Sequence, residues 1–276
     1  MRAPRRPFQT RTREPMADDV PTLELRGISK SFGSVQALTE VDLSVKAGEV
    51  MALVGDNGAG KSTLIKCVAG VQAADSGEIL FEGQEVHIHG PKDSARLGIE
   101  IVYQDLALCD NLDVVQNMYL GREAHDAVYR LREPEMERHT AETLATLSVT
   151  TIRSTRQKVA TLSGGQRQSV AVARAVMWNS KIVILDEPTA ALGVAQTRQV
   201  LDLVKRLGQQ GLGVILISHN LHDVFEAAHR VTVLRLGRDI GVYEIAKTTQ
   251  QEIVSAITAG VPTKVAGISG TAEETE

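Results

Sequence analysis

Gly55-Asp56-Asn57-Gly58-Ala59-Gly60-Lys61-Ser62-Thr63 fits the Gly-x4-Gly-Lys-Ser/Thr pattern of loops that cradle nucleotide phosphates. The apolar run Val50–Val54 before it reads as a strand. Leu64, Ile65, Val68 and Ala69 recur at helical spacing after it, with Gly70 as a stop. Glycines let successive N–H groups turn toward phosphate oxygens, and the helix N-terminus adds partial positive charge beneath them. Lys61 is placed to reach the terminal phosphates and the Ser62 hydroxyl to bind Mg²⁺. The plain alternative is a glycine-rich turn between a core strand and a core helix.

Two further apolar runs belong with this strand. Ile182–Leu185 is continuous, as a parallel strand buried on both faces should be, and it ends in Asp186-Glu187-Pro188. Two acids at the end of a buried strand are costly unless a metal or a proton transfer uses them. Val214–Ile217 is a third such strand, ending in Ser218-His219. Open parallel sheets carry ligands at the carboxyl ends of their strands. The three ends are therefore expected to share one edge. Asp186 would reach Mg²⁺ through water, Glu187 would orient or deprotonate an attacking water, and His219 would sit near the terminal phosphate.

The remaining elements surround this core. Leu23 and Leu25, then Val41, Leu43 and Val45, alternate as strands. Ile79 with Phe81, and Val86 with Ile88, read as two short strands around Gly83, completing an antiparallel layer. Phe32, before the Gly33 turn, reads by position as a core aromatic or as a platform for a base. His87 and His89 share a strand face without a third ligand, so a solvent-facing strand is expected there rather than a metal site. Ile99–Val102 is another strand, ending at Tyr103-Gln104. Residues 106 to about 180 read as mostly helical. Pro134 suits a first turn, and Met136, Thr140, Leu144 and Leu147 follow at helical spacing.

Ser163 reads as the cap of a helix carrying Val170, Ala173, Ala175 and Val176, and Gly164-Gly165 leave room for close approach by another group. That is an anion site in form, and equally an ordinary capped turn. An amphipathic helix is expected over Gln196–Leu207, a hairpin over 231–242 around Gly237, and a last helix from the capping box Thr249-x-x-Glu252 to Gly260.

The chain has 276 residues, 43% of them apolar, and a net charge of −4. Nothing in that balance points to nucleic acid or an anionic surface. No apolar stretch approaches the ~20 residues of a membrane span, and no apolar leader precedes the first strand. Cys67 and Cys109 are expected to be reduced, in a cytoplasmic protein. Residues 1–20, rich in Arg and Pro, and the small, acidic residues 261–276 read as disordered tails. Met16 is an alternative start.

Taken together, Leu162-Ser163-Gly164-Gly165-Gln166 between the phosphate loop and the Asp-Glu strand resembles the nucleotide-binding domain of ABC transporters. The resemblance runs from about Leu23 to Gly260. It implies an α/β fold of the P-loop NTPase kind: a RecA-like parallel core, an antiparallel β layer and a helical subdomain over about 105–180. It implies ATP and Mg²⁺ as ligands, with Phe32 stacking on adenine and residues 55–63 holding phosphates. Gln104 would sense Mg²⁺ and the γ-phosphate. Asp186 would join Ser62 and Gln104 at the metal. Glu187 would be the catalytic carboxylate and His219 the switch histidine. It further implies a head-to-tail homodimer, or pairing with a second ATPase domain, in which Ser163–Gln166 of one copy close the ATP site of the other.

The implied partners are integral membrane permease subunits and, indirectly, a substrate-binding protein, with the chain peripheral on the cytoplasmic face of the inner membrane. Residues 98–108, 117–123 and 190–194 are similar to ATP subunits of importers of ribose, xylose or fructose type. One departure stands out. The family's Ser-Ala-Leu-Asp is here Ala190-Ala191-Leu192-Gly193, which removes a carboxylate that normally helps connect the two ATP sites. The rival reading is a soluble ABC-type ATPase acting on nucleic acid or ribosomes. It lacks a coiled-coil insertion, a tandem domain or a basic stripe in the folded region. A phosphoryl transferase on the same loop leaves residues 162–166 unexplained.

Overall fold

The computed structural model describes residues 20–260. The tails expected at either end lie outside them, apart from Val20. Two sheets organise the chain. An antiparallel sheet of order β2-β1-β4-β5 is formed by β1 (Leu23–Phe32), β2 (Val35–Val45), β4 (Ser76–Phe81) and β5 (Gln84–Glu85). The second sheet has order β10-β9-β3-β8-β7-β6. Its strands are β3 (Val50–Val54), β6 (Ile99–Val102), β7 (Ile182–Asp186), β8 (Gly213–Ile217), β9 (Arg230–Arg235) and β10 (Arg238–Glu244). β6, β7, β8, β3 and β9 run parallel, and β10 closes the edge antiparallel to β9.

The central strands are apolar throughout because both of their faces are covered. Alternation still sorts their side chains. Met51, Leu53, Ile182, Ile184, Ile215 and Ile217 pack toward the antiparallel sheet and α1 (Lys61–Val68). Val50, Val183, Leu185, Val214 and Leu216 pack on the other face, against α3 (Val114–Tyr119), α4 (Glu133–Thr146), α5 (Gly164–Val176) and α6 (Val194–Gln209). Each fully buried aliphatic side chain contributes roughly 1.5–3 kcal/mol. A third cluster joins β9 to α7 (Leu221–Ala227) and α8 (Gln250–Ala259), whose Thr249 capping box and Gly260 stop form as the pattern predicts.

Four expectations change. β5 stops at Glu85, so His87 and His89 lie in an irregular segment rather than on a strand. The burial alternation of residues 86–89 imitates a strand, but only Val86 N–H bonds back to β4, through Ile79 O at 2.8 Å. The stretch 106–180 holds three α-helices separated by long loops. Residues 121–132 form a tight turn around Asp126, whose carboxylate accepts from Val128 and Arg130 N–H, instead of a helix. Phe32 is 45% exposed rather than core, because it ends β1 at the rim of the sheet. Two short helices, α2 (Pro91–Leu97) and α7, lie where no helix is expected; each is too short for a clear apolar period.

Candidate functional site

Strand register brings the polar edge together. Leu53 pairs with Ile217, and Asp186 pairs with Ile217 from the other side. The residues that follow each strand, in the phosphate loop, at Glu187 and at Ser218-His219, therefore emerge side by side. They enclose a cavity of about 400 Å³ lined by Asn57, Gly58, Gly60, Lys61, Ser62, Thr63, Gln104, Asp186, Glu187, Ile217 and His219. Ile217 is the one lining residue that the motif pattern does not single out.

The loop's shape is fixed by its glycines. Gly58 and Gly60 take φ of 82° and 105°. A Cβ on Gly55 would stand 2.1 Å from Leu234 O. Gly60 precedes α1 without a side-chain cap, so the first N–H groups of that helix have no partner from a capping side chain. Asp56 and Ala59 build the turn itself: Ala59 N–H donates to Asp56 O at 3.1 Å, and Ala59 O accepts from Gly237 N–H at 3.0 Å. Lys61 Nζ donates to Gly55 O at 2.6 Å and Asp56 O at 3.0 Å, lying along the loop's inner side.

Charge is dense here. Burial lowers the Lys61 pKa, opposed by the charges of Glu187, Asp186 and Asp56. Burial raises the Asp186 pKa, and Glu187 adds to the effect while Lys61 and Lys66 oppose it. A half-buried carboxylate short of positive charge, next to a hydroxyl and an amide, suits an oxygen-coordinated dication. Among the described residues no group of three or more His, Cys, Asp or Glu is placed to hold a metal alone. Ser62, Gln104 and Asp186 share the cavity lining and carry oxygen donors of the kind such an ion takes. His219 Nδ1 lies 2.8 Å from Glu187 Oε2; the imidazole is 70% exposed and the carboxylate 15%. The pair faces the cavity from its outer rim.

The loop that follows Gln104 is anchored to the helices around it. Arg174 donates to Leu106 O and Ala107 O at 3.0 and 3.1 Å. Buried Asn117 bonds Cys109 through N–H at 2.7 Å and C=O at 3.0 Å. Arg167 of α5 pairs with Asp110 of the same loop.

Ser163–Gln166 do not line the cavity. They form the N-terminus of α5, where Ser163 Oγ accepts from Gln166 N–H and Gln166 Oε1 accepts from Ser163 N–H, a complete capping box. Phe32 is also outside the cavity lining, with Lys30 Nζ 5.7 Å from its ring centroid.

The ABC transporter family model matches residues 38–190. The xylose/arabinose import ATP-binding protein XylG of Sulfolobus acidocaldarius is 44% identical over 237 residues, covering 86% of this chain and 94% of that protein. The fructose import ATP-binding protein FrcA of Rhizobium meliloti is 44% identical over 244 residues, with the same coverage of each. Among solved structures, the ADP conformation of MJ1267, an ATP-binding cassette of an ABC transporter, superposes with a TM-score of 0.73 at 26% identity. It covers 86% of this chain and 95% of that one. The phosphate loop, the acidic strand end and the capped 162–166 turn thus have their explanation: the chain belongs to the ABC transporter family, as an ATP-hydrolysing cassette.

Proposed function

We propose that this cassette powers import of a simple sugar. It would do so as a homodimer, or paired with a second ATPase domain, on the cytoplasmic face of the membrane, bound to integral permease subunits that a substrate-binding protein supplies. The import roles of the xylose/arabinose and fructose relatives support the cargo class. Among the described residues no helix is long and apolar enough to cross a membrane, which suits a peripheral subunit. The observation that carries the catalytic reading is the convergence of Lys61, Asp186, Glu187 and His219 on one cavity.

In this reading the N–H groups of residues 55–63 and Lys61 bind the phosphates of ATP, and Phe32 offers its exposed ring to adenine. Ser62, Gln104 and Asp186 would hold Mg²⁺, which when bound neutralises charge on the phosphates. Glu187 orients the attacking water and accepts its proton, and His219 holds the γ-phosphate and that water. Ser163–Gln166 of a second copy form the opposite wall. The helical lobe over about 105–180 transmits closure to the permease.

Glu187→Gln in the assembled transporter should abolish ATP turnover while leaving ATP binding intact. Turnover at the parent rate would sink the catalytic assignment. Uptake of labelled monosaccharides by cells with and without the gene tests the cargo; no loss for any sugar would sink that part.

A further inference from the structure

Glu187 and His219 follow different strands, and their turns are joined behind the cavity by a residue of neither. Glu187 takes φ 49° and its N–H donates to Ile217 O at 3.0 Å, which fastens the start of its turn to the end of β8. Farther back lies Asp223 of α7, 2% exposed. Its Oδ2 accepts from Thr189 Oγ1 at 2.6 Å, and its Oδ1 accepts from Asn220 Nδ2 at 3.0 Å. Thr189 follows Glu187 by two positions, and Asn220 follows His219 directly.

Asn220 is itself fixed. Its Oδ1 caps α7 through His222 N–H at 3.0 Å, and its own N–H donates to Ser218 Oγ at 3.0 Å. Exposed His222 places its Nδ1 3.9 Å from Asp223 Oδ1.

A carboxylate so deeply buried is unfavourable unless its hydrogen bonds return the lost solvation. Here both bonds go to the two turns that carry the proposed reacting pair. Neither Asp223 nor Thr189 lines the cavity. We propose that Asp223 is a positioning residue: with Thr189 and Asn220 it clasps the two turns and holds Glu187 within hydrogen-bonding distance of His219. The proposal rests on the assignment of Glu187 and His219 as the reacting pair.

The clasp predicts a kcat effect without a KM effect, because the phosphate loop is untouched. In the purified full chain, Thr189→Val removes the hydroxyl at nearly constant shape. It should lower kcat for ATP about ten- to a hundredfold with KM unchanged, the scale expected when reacting groups shift by an ångström or less. Thr189→Ser should restore most of the rate. Asp223→Leu removes both acceptors at a similar size. It should fall with Thr189→Val, and the double variant should be no worse than the more impaired single variant, because both cut one link. Parent-level kcat in Thr189→Val and Asp223→Leu, while Glu187→Gln is inactive, overturns the clasp alone. A rise in KM at constant kcat overturns it too, as does a double variant that multiplies the single losses. Parent-level turnover in Glu187→Gln overturns the underlying assignment instead.

Discussion

The glycines at the N-termini of α1 and α5 are there for different reasons. At the phosphate loop the glycines are demanded by the chain's own backbone: Gly58 and Gly60 have positive φ, and Gly55 lies against Leu234 O. At residues 164–166 the backbone is ordinary helix. There Gly164 and Gly165 make room for side chains of the segment leading into α6: added Cβ atoms would stand 2.8 Å from Leu192 Cδ2 and 3.2 Å from Gln196 Cβ. The first terminus has no side-chain cap, whereas the second is closed by Ser163 and Gln166. One takes its shape from contacts within a single chain and, in the proposed function, receives the phosphates. The other is a rigid, capped surface that leaves the Gly164 and Gly165 N–H groups for something outside its own fold.

The largest effect should come from Gly55→Ala. The new methyl group meets a main-chain oxygen at 2.1 Å, at φ 153°, and neither can yield without moving β9. Overpacking of this kind costs about 3 kcal/mol or more. Urea unfolding should show a large drop in midpoint, with nucleotide binding lost. A near-parent midpoint would mean that the loop is far more pliable than its contacts indicate.

Gly164→Ala should behave in the opposite way. Its clash is with the free end of a leucine side chain, and alanine is the better helix former, so stability should change by less than about 1 kcal/mol. Turnover should nevertheless fall about a hundredfold, the scale of losing one aligned N–H donor to a transition state. Unchanged turnover in a well-folded variant would remove the assignment of this turn to a second copy's ATP site.

The same contrast explains what sequence could reveal. β3, β7 and β8 are legible because burial on both faces demands uninterrupted aliphatic runs, and each run ends at the residues that matter: Gly55, Asp186-Glu187 and Ser218-His219. The 163–166 cap is legible because a capping box has fixed spacing. Asp223 and Thr189 are not, since their pairing spans 34 positions and depends on how α7 packs. Phe32 shows the limit of residue type: an aromatic at a strand end reads as core until the sheet's rim is known. Val86–His89 shows the limit of alternation, because burial with period two does not require a ladder partner.

Ser163→Ala comes next in size. It removes the side-chain acceptor from Gln166 N–H and should cost about 1 kcal/mol, read as a shift in the thermal midpoint. If the cap is the residue's main task, Ser163→Asn or Ser163→Asp recovers stability and turnover together. If the hydroxyl also faces a second copy's phosphates, Ser163→Asp recovers stability but not turnover, since a carboxylate would repel them.

The smallest effect should come from Gly193, the departure from the family pattern. Gly193 is the N-cap of α6 and has no side chain to accept from the helix; Gln196 Oε1 reaches back to its N–H at 3.1 Å, which is half of a capping box. Its φ of −73° and ψ of 162° suit any residue, and an added Cβ meets nothing closer than Gln196 Oε1 at 3.8 Å. Gly193→Ser therefore completes the box without strain and should raise stability by only a few tenths of a kcal/mol. Gly193→Asp adds a favourable charge at the helix N-terminus and should gain slightly more. Because Gln196 also packs against Gly165, tightening this cap stiffens the ground beneath the 163–166 turn without altering the phosphate loop. ATP binding to the isolated chain should stay the same in both variants. A turnover change confined to Gly193→Asp would show that the missing carboxylate acts across copies, whereas equal changes in both would trace the effect to the α6 cap.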